Sequence, residues 1–183
     1  MFETGQLVFY ANTGVCRVKS IGPPPSDFPE ELRKKQFYCL AEEFGPNVIY
    51  IPIDTKSFMR PIISKEEAVA LISKMPETAR LNEESNSQKV WADDYKALLN
   101  SHSCHDLVRL LKTVHLKNRS AQRRGKKPWM INQQYGQRAE KLLYGELAAA
   151  LGIRFDEVEA YIEARLQEAG YPPITEADEA AAL

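Results

Sequence analysis

Residues 61–72, PIISKEEAVALI, mark the point where the hydrophobic rhythm of this chain changes. Ser64 followed three residues later by Glu67 is a capping-box signature, in which hydroxyl and carboxylate reciprocally satisfy backbone amides at a helix start. Ala68, Val69, Leu71 and Ile72 then recur at helical spacing, which predicts a helix to about residue 74. Upstream the pattern belongs to strands. The runs 6–10 (QLVFY), 15–21 (VCRVKSI), 36–41 (QFYCLA) and 48–53 (VIYIPI) are short and rich in β-branched and aromatic residues. Asn12 with Gly14, Gly22 with Pro23, Pro24 and Pro25, and Gly45 with Pro46 and Asn47 supply the turns between them. So many short strands predict a small, strongly bent antiparallel sheet or partial barrel. Pro52 cannot donate to a central ladder, which puts the run 48–53 at a sheet edge. Such an edge is either blunted or recruits a partner strand.

Downstream the helical period persists. Residues 77–88 are polar and read as a loop; helices follow over about 89–99 and from near Ser103, the latter burying Leu107, Val108, Leu110, Leu111 and Val114. The segment 119–128, RSAQRRGKKP, reads as an exposed basic loop. A helix over about 129–151 stops at Gly152, and a last one covers about 155–169. The sum is an α+β chain in three parts: a β module over 1–63, a compact all-α domain over 64–170, and a fraying acidic tail over 171–183.

Composition narrows the function. The chain has 183 residues, 44% hydrophobic and 27% charged, the balance of an ordinary globular protein. The opening MFETGQLVFY is no basic leader with an apolar run, and no stretch approaches the ~20 apolar residues of a membrane span. A cytoplasmic protein without membrane partners is expected. Three cysteines, Cys16, Cys39 and Cys104, share no CxxC spacing, which speaks against a disulfide framework or a zinc site. His102, Cys104 and His105 point in different directions on a helix and do not converge on one metal. Cys104 with a neighbouring histidine also suggests a thiol-dependent enzyme, but no orienting third group, oxyanion loop or nucleotide-binding glycine motif accompanies it. No enzymatic activity, cofactor or small-molecule substrate is expected.

Charge is segregated. The formal net charge is -1, yet no acidic residue stands between Asp106 and Glu140, where Arg109, Lys112, Lys117, Arg123, Lys126 and Lys127 are among the cations. Local positive potential, not net charge, attracts a polyanion, so nucleic acid is the first partner to consider, against a merely solvated basic face.

Four pieces of sequence resemble the CarD family of bacterial transcription regulators, including its CdnL-type members. They are FETGQLVFYANTGV at the start; FYCL, VIYIPI and MRPII closing the first module; WADDYKALL ahead of DLVRLLK; and AEKLLYGELAAAL. The resemblance implies a Tudor-like or SH3-like β-barrel that docks on the β subunit of RNA polymerase through strand edges. It further implies a helical domain on promoter DNA at the upstream edge of the transcription bubble, where an inserted tryptophan stabilises the open complex. Trp91 matches that tryptophan, Lys96 and Arg109 match neighbouring basic positions, and Lys126 and Lys127 fall in a connector that is often basic in the family. Tyr50 and Pro52, with Cys39, match the polymerase-binding strands. Arg33, Lys34 and Lys35 are local electrostatic candidates. Asp93 and Asp94 stand where relatives often carry basic residues, which shifts the expected electrostatic weight toward 123–127. They also leave open a polymerase-binding adaptor without DNA contact. Trp129, beside Pro128, is a rival wedge whose simpler role is to staple the loop to its helix.

Overall fold

The computed structural model describes residues 1–81, 85 and 87–171. The chain divides into two compact units, Met1–Ile63 and Ser64–Leu183. The expected loop at 77–88 lies partly, and the tail 171–183 almost wholly, outside the described residues.

The first unit is a five-stranded antiparallel sheet. Its strands are β1 (Leu7–Tyr10), β2 (Gly14–Gly22), β3 (Phe37–Glu42), β4 (Val48–Pro52) and β5 (Met59–Pro61), in the spatial order β4-β3-β2-β1-β5. A short helix, α1 (Glu30–Arg33), lies in the β2–β3 connection. The β1–β2 turn is tight because Gly14 takes φ 94°, open to a residue without Cβ, and Thr13 donates back to the Tyr10 carbonyl at 3.0 Å. The register of β2 on β3 shifts between Val18 and Ser20. This irregularity lets Cys16 and Val18 before it and Ile21 after it reach the same core, together with Val8, Tyr38, Leu40 and Ile51. The barrel expected from the sequence is not closed. The two ends of the ladder, β4 and β5, do not pair, so the sheet is open. β5 is too short, at three residues, and ends on Pro61, which has no amide to donate.

The second unit is helical: α2 (Lys65–Lys74), α3 (Gln88–Asn100), α4 (Cys104–Arg123), α5 (Met130–Leu151) and α6 (Val158–Glu168), the last preceded by a 3-10 turn at Phe155–Glu157. The α2 capping box forms in full, with Ser64 Oγ accepting from the Glu67 amide at 3.1 Å and Glu67 accepting from the Ser64 amide at 2.7 Å. α4 runs on to Arg123, into the segment read as loop, because RSAQR holds no breaker; Gly125 at φ 66° ends it. Gly152 at φ 68° closes α5 in the left-handed conformation. The core forms where α4 lays Leu107, Leu110 and Val114 against Ala139, Leu142 and Leu143 of α5, with Gly136 allowing close approach to Val114. Among the described residues, no helix is long and apolar enough to cross a membrane.

Candidate polymerase- and nucleic-acid-binding surfaces

Two surfaces collect the residues singled out from the sequence, one on each unit. On the sheet, Cys39 of β3 faces Tyr50 of β4, and Phe37 faces Pro52. Alternation puts these four side chains on the face opposite the Tyr38–Leu40–Ile51 core. Phe28, from the β2–β3 connection, covers part of this face edge-on, with its ring 5.9 Å from Phe37 and 5.7 Å from Tyr50. The hydrogen bond to Cys39, with the charge of that thiol, raises the Tyr50 hydroxyl above its ordinary pKa. No strand pairs with the outer side of β4 among the described residues, and Val48 and Phe44 beside it are exposed. Tyr50 and Pro52 therefore lie on the outermost strand, with Cys39 beside Tyr50 on the next strand in. Arg33, Lys34 and Lys35 are exposed in the neighbouring connection, Lys34 loosely paired with Glu30 at 3.8 Å.

On the helical unit there is a cleft of about 430 Å³. One stripe of α4 builds its wall: Thr113, Leu116, Lys117, Ser120 and Ala121, continued by Arg124 just past the helix end, stand at i, i+3, i+4, i+7, i+8 and i+11, the repeat of one helix face. The segment after α2 forms the opposite lip. Lys112 donates to the carbonyls of Pro76 and Thr78 at 2.7 and 2.9 Å, and the Leu81 amide donates to Thr113 Oγ1 at 3.0 Å. These bonds fix Arg80 at the rim. Lys126, Lys127 and Trp129 come from the α4–α5 connection. Arg80, Lys117, Arg124, Lys126 and Lys127 thus surround the cleft, and among the described residues none that lines it is acidic.

Trp91 is placed otherwise than expected. Its ring is 2% exposed, forms the floor of the cleft, and donates its indole N–H to the Ser85 carbonyl at 2.7 Å. The Lys117 ammonium sits 3.4 Å from its centroid, and Tyr95 packs at 5.7 Å. A ring so enclosed displays no face for insertion at a groove, which corrects the expectation of a projecting wedge. Trp129, half-buried as the residue before α5, is the indole nearer solvent, with Lys117 5.1 Å from its centroid.

Below the floor, the Tyr95 hydroxyl donates to Asn132 Oδ1 at 3.2 Å, and Asn132 Nδ2 donates to Asn118 Oδ1 at 2.9 Å. Burial, with the nearby Asp94 charge, pushes the Tyr95 hydroxyl well above its ordinary pKa.

The remaining candidates divide. Lys126 and Lys127 line the cleft; Lys96 is exposed but lies outside its lining, and Arg109 pairs with Asp106 at 3.5 Å. Asp93 and Asp94 are not among the lining residues. Arg80 has no part in the reading of the sequence, where Lys117 stands only among the cations between Asp106 and Glu140 and Trp129 only as a rival wedge. The stripe Lys117–Arg124, seven residues apart, was the available signal. Cys104 is buried and donates its thiol to Glu146 Oε2 at 3.0 Å, while His105 is exposed. The described residues contain no cluster of three or more His, Cys, Asp or Glu side chains able to hold a metal.

A small sheet with an unclaimed edge, carried on the same chain as a cationic aromatic cleft, is the make-up of a binding protein with two contact surfaces. Residues 2–63, the first unit, match the family model of the CarD-like/TRCF RID domain. That domain is an RNA polymerase-interaction domain, which supports RNA polymerase binding in transcription by the first unit. No curated protein matches the chain.

Proposed function

We propose that this is a non-enzymatic bacterial transcription regulator. Its Tudor-like first unit holds the β subunit of RNA polymerase through the β4 edge, and its helical unit contacts promoter DNA at the upstream edge of the bubble, stabilising the open complex. The observation that carries the DNA contact is the cleft, where five cations and two indoles gather without a carboxylate among the described lining residues. Tethering to polymerase makes DNA binding intramolecular, so neither contact need be tight. Any preference for opened over closed promoter shifts that equilibrium by the difference in affinity, and ~1.4 kcal/mol changes the ratio tenfold. The burial of Trp91 and the acidic Asp93 favour a second reading, an adaptor that binds polymerase without touching DNA.

Promoter-opening kinetics with purified bacterial polymerase separate the two. Wild-type protein should lengthen open-complex lifetime, Lys126→Ala with Lys127→Ala should shorten it again with polymerase binding intact, and Tyr50→Ala should abolish both binding and effect while the fold persists. An unchanged lifetime in the double variant would leave the adaptor standing.

A further inference from the structure

The cleft selects more narrowly than a charged face does. At about 430 Å³ it is concave and of ligand-site size, so a duplex meets it only by laying backbone across its mouth, whereas one nucleotide unit can enter. Trp129 lines it and is half-buried, leaving part of an indole available for stacking, while the buried Trp91 closes the floor. Arg124, Lys126 and Lys127 are exposed around the same opening. Helix α3, which carries Trp91, and helix α5, which Trp129 precedes, each begin without an acidic residue in the first turn and without a side-chain cap. Their positive ends add to the potential that receives an anion.

The polar side chains inside are already engaged. Thr113 Oγ1 accepts from the Leu81 amide and donates to the Arg109 carbonyl, and both ends of the Asn132 amide are bonded to Tyr95 and Asn118. Ser120 accepts from Arg124 through its carbonyl at 3.1 Å and its hydroxyl at 2.7 Å, so what a ligand meets is the exposed part of the Trp129 ring, the exposed Lys126 and Lys127, and a guanidinium held in place at the rim. That combination accepts any base and reads little of its hydrogen-bonding edge.

We infer that the cleft takes a single unstacked nucleotide of a DNA strand, its base against Trp129 and its phosphate among Arg124, Lys126 and Lys127. The inference rests on the DNA-contact reading above and sharpens it: the protein favours the open complex by holding a base that only melted DNA can offer. Selection is by strandedness and not by sequence.

The test uses the full chain, with fluorescence of its two tryptophans and anisotropy of labelled DNA at one fixed salt concentration. A short single-stranded oligonucleotide should bind about tenfold or more tighter than the duplex of the same sequence, and homopolymers of different bases should bind within a few-fold of each other. Trp129→Leu, which keeps an apolar group at the helix start but removes the π face, should erase that preference; Trp129→Phe should restore most of it. Thermal midpoints confirm that both variants fold. Inorganic tripolyphosphate should compete weakly. Duplex bound as tightly as single strand, or tripolyphosphate competing as well as the oligonucleotide, overturns the nucleotide cleft while leaving a phosphate-binding DNA surface. If no form of DNA binds, even in the polymerase complex, the broader reading falls with it.

Discussion

Trp91 lies beneath Lys117 and bonds to the Ser85 carbonyl, so its side chain belongs to the interior of the helical unit. Trp91→Ala should therefore cost about 3–5 kcal/mol of stability, as deletion of a packed aromatic ring does, measured by denaturant unfolding. An unfolding free energy within ~0.5 kcal/mol of wild type would mean that the ring spends its time outside. Tyr144 gives a pH dependence of definite sign. Burial first, then Glu159, Glu140 and Glu163, push its pKa up to about 12, while the unfolded chain keeps the ordinary value of 10.0. Above that ordinary value the unfolded state releases the proton first, so stability falls with rising pH until the folded group also ionises. Tyr144→Phe should flatten the loss between pH ~10 and ~12 in alkaline unfolding curves. The basic character of the segment that supplies Lys117, Arg124, Lys126 and Lys127 is legible in the sequence, but the arrival of Arg80 at the same cleft and the direction of Trp91 are not. Its burial is imposed by Lys117, from another helix, and by a carbonyl in the polar connection before α3, neither of which leaves a mark in WADDYKALL itself.

At the scale of elements, the capping box and the glycine contact of α5 invite opposite interventions. Ser64→Ala should cost about 1 kcal/mol, by removing the acceptor for the Glu67 amide at the start of α2. Gly136 has the Val114 Cγ1 3.1 Å from where a Cβ would stand. Gly136→Val, with further carbons in the same space, should lower the thermal midpoint by several degrees, because Val114 is β-branched and buried and cannot swing aside. A rise would show the α4–α5 contact to be looser than drawn. The same two elements explain what periodicity reveals. Four strands and the five main helices announce themselves because burial on one face writes a period of two or 3.6 into the residues. β5 did not, since a three-residue strand holds less than two repeats of any pattern. The end of α4 escapes the pattern because RSAQR is polar all round yet consists of residues with no objection to a helix; polarity alone does not break a helix, and Gly125 does. Barrel closure depends on hydrogen bonds between strands far apart in sequence, which no local run encodes.

For the molecule as a whole, a net charge of -1 hides the distribution that matters. Removing Lys126 and Lys127 together should reduce the slope of log affinity for DNA against log salt by about 1.4 to 1.8, if both meet phosphate, since each contact contributes ~0.7 to ~0.9. Polymerase affinity, assigned to the other unit, should stay within about twofold of wild type, as for independent sites. The open side of β4 adds something more. Every second amide of an outermost strand points away from its neighbour, so in isolated protein those hydrogens trade with deuterated water much faster than the ones facing β3. Engagement of that side would slow them selectively, making the strand its own isotopic gauge of occupancy, readable peptide by peptide without dye, tag or substitution.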